Sequence, residues 1–459
     1  MRRLLLLPAL ALVLLGTPVL ALEEPPPPST SVEDVPVEPA APVAPDAATP
    51  AAPDPAVPGW QSTATPIDSS IVGVKWDGDP AASFTIEARS SDGTWSPAPP
   101  VEAADLAADD GTKDVAPVAA AASENEHATD PVWIGEDATA VRVTVDEGTA
   151  TDVTVAAVVD STPPAPDGAA GAASGVLGPL DGTDKWLFGI ALGASIVLLA
   201  AVAFGWSPWR ARRAKLVAIG VGALLLASCV PAAPPPPPAG LPPAQTGDYP
   251  AVPAMVVRAG WGAQGFACGT PDYASSLKYA IVHHTVNSNN YSPGQSATMV
   301  RGIQAYHMGT LGYCDIAYNF LVDRFGTIFE GRDGGITKPV IGGHAGGFNT
   351  QSVGVAMLGD YTGAQPPGEQ FNAVANLLRW RLSIAHVDPS LPFSTRVLSS
   401  PCNCQNWPPG EIAYFSFGII SHRDVDQTSC PGNAFYPRMG ELRSLVQPGI
   451  RFPPGPPPA

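Results

Sequence analysis

Residues Trp186–Trp206 run for 21 residues without a charge and carry a tryptophan at each end. As a helix rising about 1.5 Å per residue, this stretch would be about 31 Å long, the thickness of a bilayer core. The terminal tryptophans suit the two membrane interfaces. No other feature constrains folding as strongly, because a membrane helix here divides the chain into two parts that must each find their own core. Arg210, Arg212, Arg213 and Lys215 follow at once, and the positive-inside rule assigns that loop (207–215) to the cytoplasm. The preceding residues then lie outside. Met1–Ala21 predicts the same: Arg2 and Arg3, an apolar Leu4–Leu15 and a small-residue end at Val19-Leu20-Ala21 make a secretory signal peptide.

A second apolar segment, 216–229, follows the basic loop. Its run Leu216–Ser228 is short for a span, since about 20 residues are needed. With Leu226-Ala227-Ser228-Cys229 at its end, it resembles a bacterial lipoprotein signal, in which Cys229 would be lipidated and the chain cut before it. The other reading is a second membrane helix extended to about Ala233. Either way the remainder returns outside, giving a protein of the bacterial cell membrane with an extracytoplasmic C-terminal half.

Length and composition complete the outline. The chain has 459 residues, room for two to four domains. Its 54 prolines and 46 glycines make 100 of 459, or 22%, against an ordinary level of about 12%. They concentrate in four stretches expected to be extended: 22–58, 161–185, 230–250 and the tail 448–459. Residues 23–185 hold 29 acidic and 5 basic side chains, whereas 249–459 hold 12 and 13. Neither half offers the basic face that nucleic acid requires.

Two folded modules remain. Residues 59–160 contain short alternating or β-branched runs at Ser70–Trp76, Ser83–Arg89, Val132–Gly135, Ala140–Val145 and Asp152–Val159, which predict an all-β, sandwich-like module. It has no cysteine and one histidine, His127, so no chemistry is legible there. Residues 251–447 mix strands and helices. Leu277–His284 reads as a buried strand, Gln295–Gly309 as a helix, and Ala317–Asp323 and Thr327–Glu330 as strands joined by a tight turn. Ser352–Leu358 is a further strand, and Gln370–Ala385 a helix with apolar residues at Phe371, Val374, Leu378, Leu382 and Ala385. Gly418–Ser421 is a strand and Asn433–Val446 the last helix. The class is α/β, a mixed central sheet flanked by helices.

Six of the seven histidines fall in this domain, five of them at His283, His284, His307, His344 and His422, and Cys430 follows His422 by eight residues. Histidines at strand ends can converge on one metal. Two of them with one thiolate would leave a fourth tetrahedral position open, as in a catalytic zinc site. His284 should face away from His283, since neighbours on a strand point to opposite sides. Glu330 and Arg332 read as a structural ion pair, Asp424 and Asp426 as contacts to the ligand residues or the loop and not as ligands, and Trp261 as core or groove edge.

The segments KYAIVHHT, AYHMGTLGYCDIAYNFLVDRFGTIFEGR, IGGHAGGFNTQSVGVAMLG and ISHRDVDQTSCPG resemble, in order, the type 2 N-acetylmuramoyl-L-alanine amidases and the peptidoglycan-recognition proteins. The likeness covers about 255–445. It implies Zn²⁺ held by His283, His422 and Cys430, with Tyr318 as the active-site tyrosine. Thr428 stands at a position that is Thr or Lys in active members. His307, His344 and Asn349 would line the substrate groove. Ala317 departs from the glycine often found before the tyrosine. The activity implied is hydrolysis of the amide between N-acetylmuramic acid and L-Ala of peptidoglycan, with no organic cofactor. Binding-only relatives typically lack the cysteine, so Cys430 favours an enzyme over a recognition module or a purely structural envelope protein. Module 59–160 resembles β-rich accessory modules that accompany cell-wall amidases.

Outside the cytoplasm disulfides are permitted. Once Cys430 is assigned to metal, Cys268–Cys314 is the expected bridge. Cys402 and Cys404 are two apart and either bridge or stay reduced, and four cysteines allow three pairings.

Overall fold

The structure, a computed structural model, describes residues 30–40, 57–99, 101, 103–104, 108–114, 126–160, 245–246, 249–402 and 404–453. The signal peptide, the apolar segments 186–206 and 216–229, and Cys229 lie outside the described residues. Among those described, no helix is long and apolar enough to cross a membrane.

The first module is a sandwich of two antiparallel sheets. Its strands are β1 (Thr30–Pro36), β2 (Thr65–Pro66), β3 (Ile71–Gly78), β4 (Ser83–Ser90), β5 (Trp95–Pro97), β6 (Glu126–Ala128), β7 (Val132–Trp133), β8 (Ala138–Glu147) and β9 (Ala150–Asp160). One sheet runs β1-β9-β3-β6, with β7 also on β3, and the other β2-β8-β4-β5. Alternation builds the core. Phe84 and Ile86 of β4 and Val141, Val143 and Val145 of β8 face Val72, Val74 and Trp76 of β3. The Trp76 and Phe84 rings lie 4.7 Å apart. Strand β1 corrects one expectation, because it lies within 22–58, the stretch read as an extended linker. All seven of its residues pair with β9. As a sheet-edge strand it carries acids on its outer positions, which disguised its Val32 and Val35 as linker.

The second module is built on a mixed sheet ordered β11-β14-β13-β15-β12-β18. These strands are β11 (Met255–Val256), β12 (Tyr279–His284), β13 (Phe320–Val322), β14 (Ile328–Glu330), β15 (Ser352–Met357) and β18 (Ile419–Ser421). Only β13–β14 is antiparallel; the other pairs are parallel. Short helix α1 (Arg258–Trp261) precedes α2 (Ser296–Gly309), α3 (Gly368–Ile384) and α4 (Met439–Val446). The apolar stripe of α3, with Phe371, Val374, Leu378 and Leu382, covers one sheet face together with Leu442 and Val446 of α4. Helix α2 covers part of the other face. The last helix begins at Met439, after a 3₁₀ turn at Tyr436–Arg438, later than its sequence predicts. Two stretches read as linker and tail also pair: β10 (Gln245–Thr246) runs parallel to β19 (Arg451–Phe452).

The two modules are not beads on a string. Strand β3 is buried on both faces: Val72, Val74 and Trp76 point into the sandwich, while Ile71 points at α2. With Trp133, Ala156 and Val158 it meets Met299, Val300, Ile303 and Tyr306 in one continuous core. Glycines permit the close approach, since a methyl group at Gly73 would run into the Tyr306 ring and one at Gly302 into Ile71. Polar contacts frame the apolar patch. Arg301 Nε lies 3.0 Å from Asp160 Oδ2, and Asn287 Nδ2 donates to Pro131 O at 2.9 Å. The expectation of independent modules failed because tertiary contact, not strand pattern, decides what covers a sheet's outer face.

An Ala in place of Gly in a strand interior ordinarily stabilises by about 0.5–1 kcal/mol. Here Gly73→Ala should instead destabilise by about 1–3 kcal/mol, because the buried ring cannot move aside. A urea midpoint equal to or above that of the wild type would remove the module interface from the account.

Candidate metal centre

Parallel pairing of neighbouring strands creates this site. β12 and β18 lie side by side with Val282 opposite Ser421, so the residues that follow, His283 and His422, emerge at the same level. Their rings are 4.5 Å apart. A 3₁₀ turn at His422–Asp424 starts the loop that returns Cys430 to the pair. One donor atom from each of His283, His422 and Cys430 lies within 4.8 Å of the others, and all three residues are buried. This is the carboxyl edge of parallel strands, where open α/β sheets bind their ligands.

A hydrogen-bond chain decides which nitrogen each histidine offers. Ser352 Oγ donates to Asn349 O at 2.9 Å, so it accepts from His344 Nε2 at 3.4 Å. His344 Nδ1 then has a lone pair and accepts from His283 Nε2 at 3.0 Å. The lone pair of His283 is therefore on Nδ1, which lies 3.8 Å from Cys430 Sγ. His422 is oriented by a carboxylate: its Nε2 donates to Asp426 Oδ2 at 3.0 Å, which puts its lone pair on Nδ1 too. Such partners hold a ring in one tautomer and raise its basicity toward a metal. The Cys430 sulfur accepts from the His284 backbone N–H at 3.4 Å.

Burial holds His283, His344 and His307 neutral. It is the main cause that pushes His283 well below the usual imidazole range, with His422, His344 and His284 adding to it. His344 is lowered to about 3 by burial, His422 and Arg332. His307 is lowered to about 3 by burial and then Arg332. Neutral imidazole is the form that binds metal, so two such rings and one thiol sulfur fit a zinc-type ion.

The other expected residues are gathered around this cluster. The Tyr318 ring is 5.4 Å from that of His283 and 5.8 Å from that of His307. His307 Nδ1 accepts from Ala317 N at 3.0 Å. Asn349 Oδ1 accepts from His344 N at 2.7 Å and Ala345 N at 3.0 Å. Thr428 lines a cavity of about 250 Å³ with Cys430 and His284, and its hydroxyl accepts from Cys430 N at 3.0 Å. It therefore shapes the cysteine loop directly. His284 turns to the opposite side, where its Nδ1 accepts from Tyr361 N at 3.1 Å. Cys268–Cys314 is bridged, and so is Cys402–Cys404. Trp261 is core, with its Nε1 donating to Glu330 O at 2.8 Å.

One expectation is overturned. Glu330 and Arg332 do not pair: Glu330 accepts from Arg258 N at 3.1 Å, and Arg332 pairs with Asp114 of the other module. Strand β14 ends at Glu330, so the alternation that would put residues 330 and 332 on one face is not continued to Arg332. The sequence gave no sign of Ser352 or of Asp109, which contacts Asn349, whereas Asp426, read as a contact behind the ligands and not a ligand, is the partner of His422. The first two are common polar residues whose roles depend on position alone.

His307 yields a pH test. Its folded pKa of about 3 lies below the ordinary value of about 6.5. The unfolded chain therefore binds a proton that the folded chain refuses. This contribution to stability is complete above about pH 6.5 and is lost as pH falls toward 3, amounting to about 2 kcal/mol by pH 5. His307→Asn, whose Oδ1 can still accept from Ala317 N, should flatten that decline. Parallel pH dependences of the urea midpoint in the two proteins would show that His307 is not its source.

Comparison with known proteins adds the family. The N-acetylmuramoyl-L-alanine amidase family matches residues 273–433, and the Rv3811 N-terminal galactose-binding domain-like family matches 28–169. Peptidoglycan-recognition protein SC2 of Drosophila simulans is 32% identical over 178 residues, covering 39% of this chain and 80% of that protein. Peptidoglycan recognition protein 1 of Bos taurus is 26% identical over 183 residues, 40% and 80% of the two chains. The solved structure of wild-type Drosophila PGRP-LB is 24% identical and covers 42% of this chain and 96% of its own, with a TM-score of 0.33. The 32% identity to the Drosophila simulans protein over 80% of its length, with the family match over 273–433, means that the chain belongs to the family of type 2 N-acetylmuramoyl-L-alanine amidases and peptidoglycan-recognition proteins.

Proposed function

We propose that this protein is a zinc-dependent N-acetylmuramoyl-L-alanine amidase that cuts the bond between N-acetylmuramic acid and L-Ala in peptidoglycan. The observation that carries the reading is the complete donor set of His283, His422 and Cys430 within 4.8 Å. Two imidazole nitrogens and a thiolate suit zinc and leave one position for a reactant. When bound, zinc would supply Lewis acidity and a water made acidic near neutral pH.

The protein's own residues supply the rest. Asp426 and His344 hold the two ligand rings in the required tautomer. The Tyr318 phenol borders His283 and can donate a hydrogen bond to the oxyanion that develops as the amide is attacked. Burial of the site makes that bond stronger than it would be in water. The relatives that are named for recognition keep a second reading in view, binding to muramyl peptides without cleavage.

The protein would work outside the cytoplasm, attached to the membrane. The pattern of Met1–Ala21 and the charge-free run Trp186–Trp206 support this reading, and the contact between 30–160 and 249–453 requires that both modules lie on one side. A hairpin of two spans, or a lipid at Cys229, meets that condition. Labelling with a lipid analogue should be lost in Cys229→Ala, and labelling that persists would leave the second apolar segment as a membrane helix.

The enzyme reading is tested by digesting purified peptidoglycan with the zinc-loaded protein and identifying products by mass spectrometry. Free stem peptides beginning at L-Ala are expected, and Cys430→Ser should abolish both zinc retention and release. Tyr318→Phe should keep zinc and lose about 10²-fold in kcat. Wall binding without released peptide, in protein that holds zinc, would establish recognition instead.

A further inference from the structure

The wall expected to line the substrate groove is already covered. His307, His344 and Asn349 are each at most 1% exposed, and part of what covers this wall belongs to the first module. Residues Ala108–Asp114 leave the sandwich and bind both sides of the groove. On one side the Asp109 carboxylate sits in a nest of four donors. Oδ2 accepts from Thr350 N at 2.8 Å and Thr350 Oγ1 at 2.7 Å. Oδ1 accepts from Asn349 Nδ2 at 3.0 Å and Asn349 N at 3.2 Å. Ser400 Oγ donates to Ala108 O and Asp110 N to Ser399 O, both at 2.8 Å. On the other side Asp114 accepts from Cys314 N at 2.8 Å and pairs with Arg332. Lys113 N donates to Asp272 Oδ2 at 2.9 Å.

These anchors are polar or ionic, unlike the apolar patch that joins the sandwich to α2. Buried carboxylates are costly unless fully hydrogen-bonded, and burial alone pushes the Asp109 carboxyl above its ordinary range while Thr350 and Asn349 oppose it. The nest and the Arg332 guanidinium are therefore matched to carboxylates spaced along a peptide. A stem peptide presents that chemistry: backbone carbonyls and carboxylates in an extended chain. The strap and such a ligand would compete for the same donors.

We propose that Ala108–Asp114 is an autoinhibitory strap, an internal stand-in for the acidic stem peptide, which must leave the groove before substrate can enter. The proposal rests on the peptidoglycan reading above. It makes the first module a regulator of access to the metal site as well as an accessory domain.

The test compares the full chain, purified in detergent and loaded with zinc, with its Asp109→Ala/Asp114→Ala double variant. The probe is a soluble muramyl tripeptide, followed by calorimetry and by product release. The double variant should bind about tenfold more tightly, the factor expected if the strap vacates the groove in about one molecule in ten. KM should fall by the same factor and kcat should stay nearly constant. Equal or weaker binding, in a variant whose melting is unchanged, overturns the proposal and makes the segment part of the site's framework. If the double variant does not fold, Asp109→Asn, which keeps the size and loses the charge, is judged by the same criterion. Tighter binding with no cleavage by either protein keeps the strap and rejects the amidase reading. No binding by either rejects both.

Discussion

Everything at the metal centre depends on the parallel registration of β12 with β18. Because Val282 faces Ser421 across the ladder, the two strands end together and deliver one histidine each to the same point. A one-residue slip would turn His283 to the face now occupied by His284, which packs beside Tyr361. The register is in turn held by the apolar alternation of β12. Tyr279 and Ile281 pack on one face, and Ala280 and Val282 face α3 and α4 on the other.

Around that point the protein has built a set of oriented imidazoles, of which His283, His307 and His344 are held neutral. Their orientation comes from hydrogen bonds that end on groups with a defined polarity, a carboxylate for His422 and a serine-to-carbonyl bond for His344. Their neutrality comes from burial. Both are properties of a dry interior, and both suit donors that must stay deprotonated. The same dryness explains why the acidic segment 108–114 can be held so firmly, since hydrogen bonds to charged groups gain strength where water is excluded.

Much of the C-terminal domain was legible in the sequence because its signals are local. The His-His pair at the end of an apolar run, the histidine and cysteine eight apart, and the periodic face of α3 each sit within one element, and the structure gathers those residues where the patterns point. The strands of the sandwich could be read for the same reason. What could not be read is long-range and polar. Asp109 and Asn349 are 240 residues apart, Asp114 and Arg332 are 218 apart, and an aspartate in a Pro/Ala-rich acidic stretch carries no mark of its partner. Strand β1 was missed because an edge strand with outward acids has the composition of a linker.

By itself, then, the sequence determined the two folded modules and most element types, because periodicity and short spacing constrain the chain over a few residues at a time, and its resemblance to a family implied the metal-donor set. The tertiary structure alone decided that the sandwich docks on α2 through Gly73 and Gly302, that Arg332 pairs with Asp114 and not Glu330, and that the groove wall carries a strap from the other module. Those outcomes depend on surface shape and on backbone donors brought together in space, and neither property is written into the order of side chains.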